Sequence, residues 1–533
     1  MRQDRLTTSF RGGTILTGPL SNPTAVEAVT VSDSRVVALE AGGGEVVDLG
    51  GGYLLPAFRD GHAHPLWGGM ELNRLPLGHC TSAAELVAAV GAYATSNPQL
   101  SWVIGGPYDP TLLPDGLGDA SVLDAACRER PVVLYAADHH TMWVNTAALE
   151  AAGITRETPD PPLGKIIRSA DGSPRGTLLE WDALALVERV MPQPSLDEHL
   201  LALQRACEHL ARHGIVWAQE AAAKPAEVLA YAEAARRGVL TCRFNTAFWV
   251  DPASWRDQRA EFLQCRKEIS DVGAFVTART VKFFADGVIE QGTGHLLAEY
   301  DDEPGSVGLP NFSASELREA VRAFDADGFQ IHIHAIGDAA IRSSLDALAY
   351  AASHNGPSSR RPVIAHTQLL DPADLPRFGE LGVIANFEPY WAKLDELQVE
   401  LTLPRIGVER GDRQYPMATI ARLGGRISFG SDWPVSEVSP TIGCAVAASR
   451  QLHDGTPSDG WVPGERLGLM EALAAYTAGT AYQAFDDDAG EISLGQRADF
   501  VLLDVDPRTA TPVELWDARV LGTWLGGRLV HST

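Results

Sequence analysis

Residues Pro56–Pro65 read PAFRDGHAHP. An apolar start, a glycine and two histidines two positions apart describe a strand with a polar end, because residues i and i+2 of an extended chain project to the same side. His62 and His64 therefore face one partner, and a metal ion suits two imidazoles at this spacing. An HxH pair alone is a weak signal, since histidine pairs also occur on ordinary surfaces. Its weight depends on what the rest of the chain places beside it.

Working outward, seven further apolar runs follow, separated by Ala/Leu/Glu/Arg-rich helical stretches such as Leu200–Arg212, Pro225–Arg237 and Ala314–Ala326. With Pro56–His62 as the first, the predicted strands are Ile215–Gln219, Cys242–Trp249, Val281–Ala285, Gln330–His334, Val363–His366, Val383–Phe387 and Ile427–Ser431. Strands alternating with helices predict an α/β fold with a parallel sheet. Eight such units predict a closed (β/α)8 TIM barrel, in which catalytic groups sit at the C-terminal ends of the strands.

The two ends of the chain have a different texture. Short strand-like runs separated by turn residues occur at Thr14–Leu16, Ala28–Val31, Arg35–Leu39 and Glu45–Leu49, and again at Ala498–Leu503, Val520–Trp524 and Gly527–Val530. Residues 1–55 and 487–533 are expected to form one composite β-sandwich, leaving 56–486 for the barrel. The gap between the first two barrel strands is too long for a βα loop, so an insertion is expected at about residues 81–195. It contains Trp102–Gly106 and Val132–Asp138, both strand-like, and is expected to be ordered.

Lys and Arg number 43 against 69 Asp and Glu, a net charge of −26. Such a surface repels phosphate backbones and anionic lipid headgroups, which argues against nucleic acid or membrane as a partner. The first residues, MRQDRLTTSF, lack an apolar signal core, and no stretch approaches the ~18 apolar residues of a membrane span. The expectation is a cytoplasmic protein acting on a small molecule. Cys80, Cys127, Cys207, Cys242, Cys265 and Cys444 show no CxxC spacing and are expected to be reduced core thiols. The assembly state is left open, a homodimer included.

Chemistry collects at the predicted strand ends. TVKFFADG embeds Lys282 in an apolar strand, where an unpaired ammonium is costly, so it either pairs with Asp286 or is anchored in another way. QIHIHAIGD repeats the two-residue spacing: His334, nearer the strand end, is the better ligand, and His332, deeper, is expected to be a core or supporting histidine. PVIAHTQ places His366 at the end of the sixth strand, and ISFGSDWP places Asp432 at the end of the eighth. The set His62, His64, Lys282, His334, His366 and Asp432 offers the nitrogen and oxygen donors favoured by zinc or a similar divalent ion.

These segments, together with HHTMWVNTAALEAAGI (His139–Ile154), VKFFADGVIEQGT (Val281–Thr293), ANFEPYWA (Ala385–Ala392) and LGQRADFVLLD (Leu494–Asp504), run in an order that resembles amidohydrolase family 3 of the amidohydrolase superfamily. That group includes N-substituted formamide deformylases. The resemblance implies that His62, His64 and Asp432 hold one divalent ion, that His334 and His366 hold a second, and that Lys282 bridges the two as a carbamate. Carbamylation replaces a repulsive ammonium by an anionic two-oxygen ligand. It also implies hydrolysis of a non-peptide C–N bond, with Asp432 accepting the proton of the attacking water and returning it to the leaving nitrogen.

His140 resembles a family position near the pocket that polarises or orients the substrate carbonyl. One departure is Ala365, where relatives often carry glutamate. Trp67, Tyr108, Trp143, Phe387, Trp391 and Trp433 adjoin the motifs, and with Glu290 they are expected to line an aromatic pocket for a small, neutral N-substituted amide or formamide. Two alternatives stand beside this reading: a single-metal deaminase on the same fold, which does not need Lys282, and a metal-binding regulatory protein without catalysis.

Overall fold

The computed structural model describes residues 7–533; Met1–Leu6 of the expected N-terminal sheet lie outside them. Eight parallel strands pair in chain order: β1 (Phe58–Ala63), β2 (Ile215–Ala223), β3 (Arg243–Trp249), β4 (Val276–Phe284), β5 (Gln330–Ala335), β6 (Val363–His366), β7 (Ile384–Phe387) and β8 (Arg426–Phe429). The register sets the rim. Lys282 pairs with His332 and Phe284 with His334 across β4 and β5, and Ala335 pairs with His366 across β5 and β6. Lys282 therefore lies level with His332, while His334 and His366 lie further along toward the same mouth.

The barrel closes between β8 and β1 through the backbone N–H groups of Ser431 and Asp432, which donate to the His62 carbonyl at 3.2 and 2.7 Å. Gly430 makes this approach possible, since a Cβ there would stand 2.6 Å from the His62 nitrogen. Helices pack around the outside by amphipathic faces. Leu196–Arg212 starts with a Ser195–Glu198 capping box and buries Leu200, Leu203, Ala206, Cys207 and Leu210 at helical spacing.

The two chain ends meet in a second sheet, where Tyr53–Pro56 pairs antiparallel with Phe500–Leu503. Phe10 packs edge-on to Phe500 and Trp524, with ring centroids 5.2 and 5.5 Å away, so this sheet encloses a core of its own. A third, six-stranded sheet lies between β1 and β2 in sequence. It begins earlier than expected from the apolar runs, at Leu75–Pro76, a two-residue strand paired with Val103–Tyr108 and too short to carry a periodic signal. All six cysteines are free, and all but Cys127 are buried. Among the described residues, no helix is long and apolar enough to cross a membrane.

Candidate metal centre

At the C-terminal mouth of the barrel, Asp432 Oδ1 lies 3.1 Å from His64 Nε2 and 3.4 Å from His62 Nε2. Donor atoms of these three residues lie within 4.8 Å of one another. Lys282, wholly buried, places its Nζ 3.0 Å from His62 Nε2. The alternative pairing with Asp286 is not what the structure shows: that carboxylate accepts the backbone N–H groups of His295, Ile336 and Gly337 instead. The His366 ring sits between the others, its centroid 4.7 Å from His62 and 4.6 Å from His334. The six residues singled out by sequence thus converge on one place.

Most of the imidazoles are fixed through their second nitrogen. His62 Nδ1 shares a 2.8 Å hydrogen bond with His332 Nε2, His366 Nδ1 donates to Glu388 at 2.8 Å, and His334 Nε2 donates to the Gly287 carbonyl at 3.1 Å. Such contacts set the ring orientation and leave the other nitrogen for a ligand. Asp432 Oδ1 and His64 Nδ1 are buried without a hydrogen-bond partner among the described residues. An orphaned carboxylate oxygen facing two imidazole nitrogens is costly unless a cation takes it up, and this donor set fits a divalent ion. The backbone carries strain at the same spot, since His366 and Asp432 hold φ of 72° and 56°.

Burial, aided by the charge of Lys282, holds His62 well below its ordinary pKa, and burial with the His366 and Lys282 charges does the same for His334. Both stay in the neutral form that ligates metal. Burial pushes Lys282 down to about 7 against the opposing pull of Asp432, Glu388 and Glu220. Burial opposes ionisation of Asp432 too, but the His64 imidazole close beside it outweighs this and holds the carboxyl below its usual range. His140 follows the same logic: burial lowers it, yet Glu180, 2.7 Å from its Nδ1, drives it up to about 9.

Above these groups opens a cavity of about 570 Å³. Trp67, Tyr108, His140, Glu290 and Trp391 are among its lining residues. Trp67 stacks on His64 with centroids 4.5 Å apart, and Trp391 stacks on His366 at 5.2 Å. Glu290 accepts a 2.7 Å hydrogen bond from Thr402.

Three expected wall residues are elsewhere. Trp143 is fully buried in the third sheet, where its Nε1 donates to the Asp119 carbonyl at 3.0 Å. Trp433 turns outward, stacking on His209 at 4.7 Å and lying against Gly68, where a Cβ would come within 2.3 Å of the indole. Phe387 points into the hydrophobic core. Their places in the wall are taken by Trp181, Phe284 and Tyr390.

The supporting carboxylates also went unpredicted. Glu388 follows β7 directly, so the strand-end rule applied to ANFEPYWA points to it. Glu220 directly follows the predicted strand Ile215–Gln219 and falls under the same rule, whereas Glu180 carries no such mark, because its partner His140 lies in a separate segment of the chain.

Comparison with known proteins adds to this geometry. A model of the amidohydrolase family matches residues 45–531. The protein LONG AFTER FAR-RED 3 of Arabidopsis thaliana is 28% identical over 97% of this chain and 90% of its own length. An N-substituted formamide deformylase of Arthrobacter pascens is 25% identical over 95% of this chain and 93% of its own. Among solved structures, an uncharacterized metal-dependent hydrolase of Pyrococcus horikoshii OT3 superposes with a TM-score of 0.76 at 23% identity, covering 95% of this chain and 99% of the other, which supports the fold.

Proposed function

The chain belongs to the amidohydrolase family, and from that we propose that it hydrolyses the C–N bond of a small, hydrophobic N-substituted amide or formamide. The observation that carries this reading is the convergence of His62, His64 and Asp432 with Lys282 beneath an aromatic-walled cavity. His62, His64 and Asp432 would hold one divalent ion and His334 and His366 a second, zinc being the ion this donor set favours. Such an ion polarises a carbonyl and lowers the pKa of water.

The chain's own residues supply the rest. Lys282, whose amine is partly neutral near pH 7, would take up carbon dioxide with release of a proton to become an anionic carbamate able to serve as a ligand. Asp432 accepts the proton of the attacking water and returns it to the leaving nitrogen. His140 donates Nδ1–H to Glu180, which leaves Nε2–H to meet the substrate carbonyl as charge develops on it. Trp67, Trp181 and Trp391 exclude water and receive the apolar substituents. An assay of N-formyl and N-acyl amines alongside charged peptides, with metal analysis of the same sample, tests the reading. Turnover of neutral N-substituted substrates is expected, and a preference for charged peptides contradicts it.

A further inference from the structure

A second chamber, of about 400 Å³, adjoins the first. Trp67, His139, Trp181 and Phe284 line both, so a wall one side chain thick divides them. Three polar atoms on this chamber's lining are buried with no hydrogen-bond partner among the described residues: Glu71 Oε2, His139 Nε2 and Trp181 Nε1. Buried polar groups are normally satisfied, so the Glu71 oxygen and the His139 nitrogen point to a missing donor, the Trp181 N–H being itself a donor. Glu71 Oε1 stands 3.4 Å from His139 Nε2, which places a carboxyl oxygen and an imidazole nitrogen side by side.

Around them the chamber is aromatic. The Trp181 ring lies 5.8 Å from Trp67, 6.0 Å from Trp249 and 5.4 Å from Phe284, centroid to centroid. The outer face of Trp249 already receives an ammonium, that of Lys224, at 5.6 Å. Arg189 and Lys224 are exposed on its lining, Arg74, Glu188 and Glu227 are half-buried there, and the Glu71 carboxyl is nearly enclosed. Burial pushes Glu71 up to about 8, and the charge of Arg74 offsets this only in part. The net charge of −26 draws cations toward the molecule.

We propose that this second chamber binds a primary aralkyl amine, its ammonium on Glu71 and His139 and its apolar body against Trp67, Trp181 and Trp249. An amine of this class is what hydrolysis of an N-substituted amide releases, and only that link to product rests on the hydrolase reading.

The test titrates 2-phenylethylamine and 2-phenylethanol into the intact, metal-loaded protein, followed by tryptophan fluorescence and calorimetry. Glu71 lines the second chamber and not the first, so Glu71→Gln reports on this site alone. The amine is expected to bind ~10-fold or more tightly than the alcohol, with Glu71→Gln abolishing that preference while alcohol binding persists. Ala185→Trp, which fills the chamber from its lining, is expected to abolish binding of both. Equal binding of amine and alcohol to the wild type, or a preference that survives Glu71→Gln, overturns the proposal. A protein that hydrolyses no amide but shows this preference sinks the hydrolase reading and leaves the amine site standing.

Discussion

One oxygen of Asp432 faces the imidazoles of His62 and His64, so a single carboxylate is placed both to grip a cation and to move a proton. Replacing it by asparagine keeps the shape and one oxygen but removes the group proposed as the base. Asp432→Asn is expected to lose ~10²–10⁴-fold in kcat while keeping most of its metal, as read by steady-state kinetics and metal analysis on one preparation. Full turnover in that variant excludes Asp432 as the proton carrier.

His140 offers a pH-resolved test. Its folded pKa, about 9, lies above the ordinary histidine value because of Glu180. Its contribution to stability is therefore fully present below the ordinary value near 6.5 and fades as pH rises through about 9. Between about pH 6 and about pH 10 the wild type is expected to lose on the order of 2 kcal/mol more stability than His140→Gln in denaturant unfolding. Parallel pH profiles contradict the His140–Glu180 ion pair.

At the scale of elements, the barrel brings the site together by register. β4 sets Lys282 level with His332, β5 and β6 carry His334 and His366 further along toward the same mouth, and the closure of β8 on β1 delivers Asp432 to His62. This much was legible in sequence, because a His, Lys or Asp within or just after an apolar strand run carries its own signal. The wall of the pocket was not. Trp143 and Trp433 stand next to functional motifs, yet one is consumed by the core of the third sheet and the other by a stack on His209. Proximity in sequence says nothing about which way a loop side chain turns.

The positive φ of His366 and Asp432, like those of His139 and Glu180, also leaves no trace in residue type. Gly430 is the closure point most open to test. Gly430→Ala forces a methyl against the His62 backbone and is expected to cost about 1–3 kcal/mol and to weaken metal binding together with stability. Unchanged thermal unfolding and metal affinity would show that the seam is looser than described.

Across the whole molecule, three sheets divide the labour. The terminal sheet ties the chain's two ends together through Tyr53–Pro56 and Phe500–Leu503, the barrel carries the donor set, and the third sheet supplies His139, His140 and Glu180 to one side of the cavity. Its place in the chain was legible as a gap too long for a loop, whereas its role in shaping the pocket depends on packing that no local pattern encodes. The account rests on the six rim residues holding metal. Metal content after exhaustive dialysis, compared between the wild type and a His62→Ala/His64→Ala double variant, tests this most directly. About two divalent ions per chain are expected in the wild type, with marked loss in the variant. A wild type without stoichiometric metal, or a variant that retains the wild-type amount, contradicts it.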